Sequence, residues 1–112
     1  MSGVALNRAL VLEGTERVPD GAGGYAETWI SLGMLWAAIR AGTGREAEAA
    51  GLSVSSVPYK ITVRAAPVGA PSRPVAGQRL RDGARLFRIL SVTEVDSAAR
   101  YLTCVAHEEI VT

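Results

Sequence analysis

Val57, Tyr59, Ile61 and Val63 alternate with Pro58, Lys60, Thr62 and Arg64, the period-two pattern of a half-buried strand with its proline near the start. The longest apolar segment, Tyr25 to Ile39, places Ile30, Leu32, Met34 and Trp36 on one face if the chain is extended. Its Thr28-Trp29-Ile30 run favours a strand over a helix, with a bulge or bend at Gly33. Trp29 and Trp36 then point to opposite faces, one into the core and one towards an interface. Leu6 to Glu13 reads as a strand, and Gly14 to Gly24, with Pro19-Asp20-Gly21 and Gly23-Gly24, reads as a mobile hairpin loop.

Thr43-Gly44-Arg45-Glu46 followed by Gly51 has the spacing of a capping box and a helix stop, predicting a short helix that offers only alanines to bury. Ala65 to Gly77 carries Pro67, Pro71 and Pro74 and is too long for a tight turn. Beyond it, Gln78 to Asp82 and Ala84 to Val92 flank the hairpin signal Asp82-Gly83. A last strand, Arg100 to Glu108, follows a turn around Asp96-Ser97. The elements compose a mainly β protein: a small antiparallel β-barrel or sandwich of about six strands, with one short helix in the loop between the second and third strands.

Composition bounds this picture. A chain of 112 residues holds one domain, here residues 1–112. Of its 48% apolar residues, 18 are alanine, so the core is modest and association with a partner would add stability. From the net charge of +1 no general polyanion-binding surface can be read. Lys60 to Leu90 is nevertheless basic, with Lys60, Arg64, Arg73, Arg79, Arg81, Arg85 and Arg88 against Asp82. Aromatic residues that would stack bases are missing there apart from Phe87, so these side chains read as solvated strand faces or salt-bridged subunit contacts.

No constellation carries catalysis. Cys104 is the only cysteine and His107 the only histidine; three apart on a strand they face opposite ways, which suits a small core thiol and a solvated strand end. His107 with Glu108 or Glu109 lacks the further ligands of a metal site, and the two glutamates read as solvating the chain end. Gly21, Gly23 and Gly24 precede a strand and no Lys-Ser or Lys-Thr follows, so they form a hairpin tip and not a phosphate loop. Catalytic, cofactor-binding and metal residues are all predicted to be absent. No apolar run reaches membrane-spanning or signal-peptide length, so the expected protein is soluble, made in the cytoplasm and without a membrane partner.

Taken in order, several pieces form a family pattern. They are Leu6-Asn7-Arg8, the Gly-rich turn before Tyr25, Trp29, Trp36-Ala37-x-Ile39, Tyr59-Lys60-Ile61-Thr62-Val63-Arg64, Asp82-Gly83-x-x-x-Phe87-x-Ile89-x-Ser91-Val92 and Tyr101-Leu102-Thr103-Cys104. No piece is specific alone; their order and spacing over nearly the whole chain are. The chain thereby resembles the head-closure or stopper family of tailed bacteriophages, head-to-tail joining proteins also present in gene transfer agents. The resemblance implies a small β-barrel without enzymatic activity, assembled as a homo-oligomeric ring, hexamer or dodecamer, in the neck of a particle. It implies the portal and adaptor complex above, the tail terminator below, and double-stranded DNA passing non-specifically through the channel.

By position, the resemblance makes the excursion bearing Thr43, Arg45, Glu46 and Glu48 the candidate channel-facing segment, which would narrow or gate the passage. Its net charge of −1 suits sliding and not gripping of DNA. Trp29, Arg64, Arg79, Arg81 and Arg85 are the candidate subunit or neck interface. Two other readings stand beside this one: a tail terminator or other neck component, and a small nucleic-acid-binding β-barrel.

Overall fold

The structure, a computed structural model, describes residues 5–52, 57–95 and 98–109. Its elements are β1 (Arg8–Pro19), β2 (Tyr25–Ala41), α1 (Gly44–Ala49), β3 (Pro58–Arg64), β4 (Arg79–Asp82), β5 (Arg85–Glu94) and β6 (Tyr101–Glu109). Every neighbouring pair is antiparallel and the order β1-β2-β3-β6-β5-β4 closes on itself, so the fold is a barrel and not a sandwich. The turn expected around Asp96-Ser97 lies outside the described residues.

The alternation along β3 works as its pattern predicts from Tyr59 onward, but at its start Val57 is 49% exposed and Pro58 is buried. Ile61 and Val63 point inward to meet Leu102, Cys104 and Ala106 of β6, with Leu10 and Leu12 of β1, Leu80 of β4 and Phe87 and Ile89 of β5 completing the core. These side chains are at most 1% exposed. Burying each of the larger ones contributes about 1.5–3 kcal/mol. Asp82 pairs with Arg85 across a two-residue turn in which Gly83 takes a φ of +60°, the conformation such a hairpin needs.

Two sequence expectations are corrected on β1 and β2. Gly14 to Pro19 is not a mobile loop: β1 continues through it, paired with Tyr25 to Ile30, and only a short turn remains. That turn is ordered by Asp20, whose carboxylate accepts from the Ala22 and Gly24 amides at 2.8 and 3.1 Å. Since β1 leaves β4 after Glu13, and β2 meets β3 only from Ala37, the distal parts of β1 and β2 form a two-stranded arm.

The shared face of Ile30, Leu32, Met34 and Trp36 does not exist either. Leu12 pairs with Gly33 and Glu13 with Ser31, leaving Leu32 as the extra residue of a β-bulge. The bulge flips the parity of the strand: Leu32 and Leu35 pack against the core, while Met34 and Trp36 are 54% and 53% exposed. Neither tryptophan is a core residue, because Trp29 is half-buried on the barrel's outer surface. Gly33 has a φ of +134°, and its missing side chain permits the bulge.

The helix forms as its capping box predicts, with Thr43 Oγ1 accepting from the Glu46 amide at 3.2 Å and Glu46 Oε1 from the Thr43 amide at 2.9 Å. It buries Ala47. More than alanine docks it, because Glu46 Oε2 meets Lys60 of β3 at 2.6 Å and Arg40 of β2 at 3.4 Å.

Replacing Gly33 by Val, which resists positive φ, should lower stability by about 1–3 kcal/mol in urea unfolding. An unchanged midpoint would show that the bulge does not depend on the glycine.

Candidate assembly surfaces

The candidate residues fall into three groups on the barrel wall. The first lies at the β1–β4 seam. Glu13 is 8% exposed, receives Arg79 Nε at 2.6 Å on one carboxylate oxygen and Arg81 Nε at 2.9 Å on the other, and sits where both strands point these side chains outward. Burial alone would raise its pKa, but hydrogen bonds from Arg81 and Arg79 and their positive charges outweigh it and leave the carboxyl below its ordinary value. The guanidiniums of Arg79 and Arg88 stand 4.1 and 5.0 Å from the centre of the Trp29 ring. Arg88 also donates to Glu109 at 3.2 Å.

The second group closes the barrel mouth at which β4 ends and β5 begins. Arg85 donates through Nε and an Nη to the two oxygens of Glu108, both at 2.9 Å, and lies over the Phe87 and Tyr59 rings. Those rings meet edge-on with centroids 5.1 Å apart. The paired charges hold each other ionised, raising the Arg85 pKa and lowering that of Glu108. Arg8 and Asp82 form a further ion pair at this end. Helix α1 connects β2 to β3 at the same end, bearing Thr43, Arg45 and Glu48 exposed and Glu46 half-buried.

The third group is at the opposite end of β3. Arg64 lies 5.9 Å from the Tyr101 ring and borders an open cleft of about 500 Å³ lined also by Leu6, Met34, Leu35 and Trp36. Thus the structure brings Trp29, Arg79 and Arg81 together, and holds Arg85 and Arg64 apart from them. It adds Glu13, Arg88, Glu108 and Glu109, which sequence reasoning left out of the candidate interface. Glu108 and Glu109, expected to solvate the chain end, are each engaged by an arginine of β5.

None of these groups is arranged for catalysis. Cys104 is buried in the core and its thiol is pushed up to about 12 by that burial. Among the described residues, no group of three His, Cys, Asp or Glu side chains could hold a metal ion, and no helix is long and apolar enough to cross a membrane.

Three carboxylates give the fold a defined acid response. Glu46, hydrogen-bonded first by Lys60 and then by the Thr43 amide, is held down to about 2 from an ordinary 4.5, and Glu13 and Glu108 are also lowered. A folded pKa below the unfolded one contributes stability that is complete above the unfolded value and disappears as pH falls through the folded one. Melting temperature should therefore drop as pH falls from about 4.5 towards 2, and Glu46→Gln should flatten that slope. Identical acid slopes in the two proteins would place the sensitivity elsewhere.

Comparison with known proteins adds what geometry alone does not. A chain from the virion of a native gene transfer agent particle has the same fold with a TM-score of 0.78 and 47% identity, covering 98% of this chain and 100% of that one. The solution structure of protein SF1141 from Shigella flexneri 2a matches over 100% of both chains with a TM-score of 0.75 and 20% identity, a likeness of fold alone. No curated protein sequence gives a match. The family model described as phage head completion protein matches residues 1–109, and with the motif pieces in order on a closed barrel the chain belongs to that family.

Proposed function

We propose that this chain is the head-closure, or stopper, protein of a phage or gene transfer agent neck. In this reading it forms a ring that joins the portal and adaptor above to the tail terminator below, and retains and passes double-stranded DNA. The observation that carries the reading is the 47% identity over 98% of the chain to a component of a gene transfer agent virion, together with the head completion family match. The role is structural and not enzymatic. The whole chain acts as one domain, made in the bacterial cytoplasm and incorporated into the particle.

The channel-facing segment is the helical excursion bearing Thr43, Arg45, Glu46 and Glu48. Its electrostatics suit a passage for DNA, because Lys60 and Arg40 engage Glu46 within the chain and leave Arg45 and Glu48 as exposed charges of opposite sign. A near-neutral lining neither repels the phosphate backbone nor fixes it by multiple cation contacts. Trp29, Arg79 and Arg81 form the wall that meets neighbours, with Arg64 and Arg85 at its two ends.

A free DNA-binding barrel is less well supported. Arg79, Arg81, Arg85 and Arg88, the residues such a protein would present to phosphate, already have carboxylate partners.

Electron microscopy of particles made without the gene tests the role. Separate tails beside heads that have lost their DNA are expected; normal tailed, DNA-filled particles would overturn the proposal.

A further inference from the structure

Three features of the barrel wall remain without a role, and they are complementary. The first is the cleft between Met34, Trp36, Leu6 and Arg64, which exposes two large apolar side chains. The second is the backbone of β2 from Tyr25 to Trp36, which pairs with β1 on one side and meets no strand on the other, since β3 joins only at Ala37. An open edge of this length is a site for association unless something covers it. The third is the arm tip, where Tyr25 is 63% exposed and Arg17 stacks on its ring at 4.6 Å.

Charge distinguishes these surfaces from the rest of the wall. Arg8, Arg40, Arg79, Arg81, Arg85 and Arg88 each have a carboxylate partner within the chain. Among the described residues Arg64 has none and lies instead over the Tyr101 ring. The arm from Gly14 to Thr28 carries Glu16, Asp20 and Glu27 against Arg17 alone. Asp20 is used by the turn; Glu27 stands opposite Arg17 in the β1–β2 register, but neither it nor Glu16 forms an ion pair among the described residues. An acidic, tyrosine-tipped arm and an apolar cleft rimmed by an arginine thus occur on one chain.

They cannot meet within one molecule. Tyr25 and Trp36 lie on the same strand, roughly 35 Å apart at about 3.3 Å per residue. We infer that the arm tip of one copy, with Tyr25 and Glu27, seats in the Met34–Trp36–Arg64 cleft of a second copy. Where each copy gives its arm to one neighbour and receives the arm of another, the interface is heterologous, and repetition generates a ring when the rotation closes. The inference deepens the ring assembly proposed above and rests on it. The Tyr25 ring covers Trp36 and Met34, Glu27 reaches Arg64, and the arm shields the open β2 edge.

Cross-linking tests the contact. Tyr25→Cys, Trp36→Cys and the chain carrying both substitutions are treated with a short bis-maleimide, as concentrated purified protein and as assembled particles. Cys104, buried in the core, does not compete. The double variant should give a ladder of oligomers ending at the ring, and each single variant only monomer. Adding Arg64→Glu should reduce the ladder about tenfold, and adding Glu27→Arg to that variant should restore it.

Monomer alone from the double variant, in particles that contain the protein, would overturn the contact. So would dimers and nothing larger from the double variant, which would show a reciprocal two-fold exchange of arms, dimers from Trp36→Cys alone, or cross-linking of the cleft to a different particle protein. Particles assembled with the unsubstituted chain that lack it altogether would refute the neck reading instead. The concentrated purified protein would then decide the contact by itself, a ladder upholding it and monomer refuting it.

Discussion

Closure of this barrel depends on one carboxylate. Of the six ladders, β1–β4 is the shortest, with the pairs Val11–Arg81, Leu12–Leu80 and Glu13–Arg79. So few backbone hydrogen bonds contribute little net stability on their own, at about 0.5–1.5 kcal/mol each. Leu12 and Leu80 seal the inside of the seam and Glu13 fastens the outside, bridging Arg79 and Arg81 from a position 11% exposed at the side chain. The arrangement is stabilising because it is complete: both oxygens are engaged, and no buried side-chain nitrogen or oxygen among the described residues lacks a hydrogen-bond partner. Removing Glu13 would leave the Arg79 guanidinium, 12% exposed at its side chain, beside Arg81 with no carboxylate between them.

The seam also fixes where the rest of the molecule goes. Glu13 is the last residue of β1 to touch β4, and it is opposite Ser31, just past the bulge at Leu32. On one side of this point β1 and β2 belong to the barrel; on the other they leave it together as the arm. The bulge turns Met34 and Trp36 outward while keeping Leu32 and Leu35 in the core. A small protein with a modest core therefore has a closed interior and a wall with an arm, an apolar cleft and a strand edge that a monomer does not need. Such surfaces suit a part that is finished only in an assembly.

How much of this is legible in the sequence follows from the range of each interaction. The β3 alternation from Tyr59 to Arg64, the Asp82-Gly83 hairpin and the Thr43–Glu46 capping box are local patterns, and each stands where sequence reasoning puts it. The arm is not legible because it has no core beneath it: Gly14 to Pro19 is exposed over most of its length, so the apolar alternation that marks a strand is missing. The parity of β2 is lost at the bulge, where one extra residue moves every later side chain to the other face. The seam is the least legible feature, since Glu13 and its arginines are 66 and 68 residues apart. Its only local trace is a charged residue closing an apolar run. Most of the candidate interface residues are therefore basic side chains whose partners sequence reasoning could not supply, and Arg64 is the one left with no carboxylate among the described residues.

A double-mutant cycle on Glu13→Gln and Arg79→Met, read by urea unfolding, tests the dependence of the barrel on its seam most directly. The account predicts a coupling of about 1–3 kcal/mol between the two sites. Losses that add to within about 0.5 kcal/mol would contradict it and leave the seam to its apolar residues and backbone.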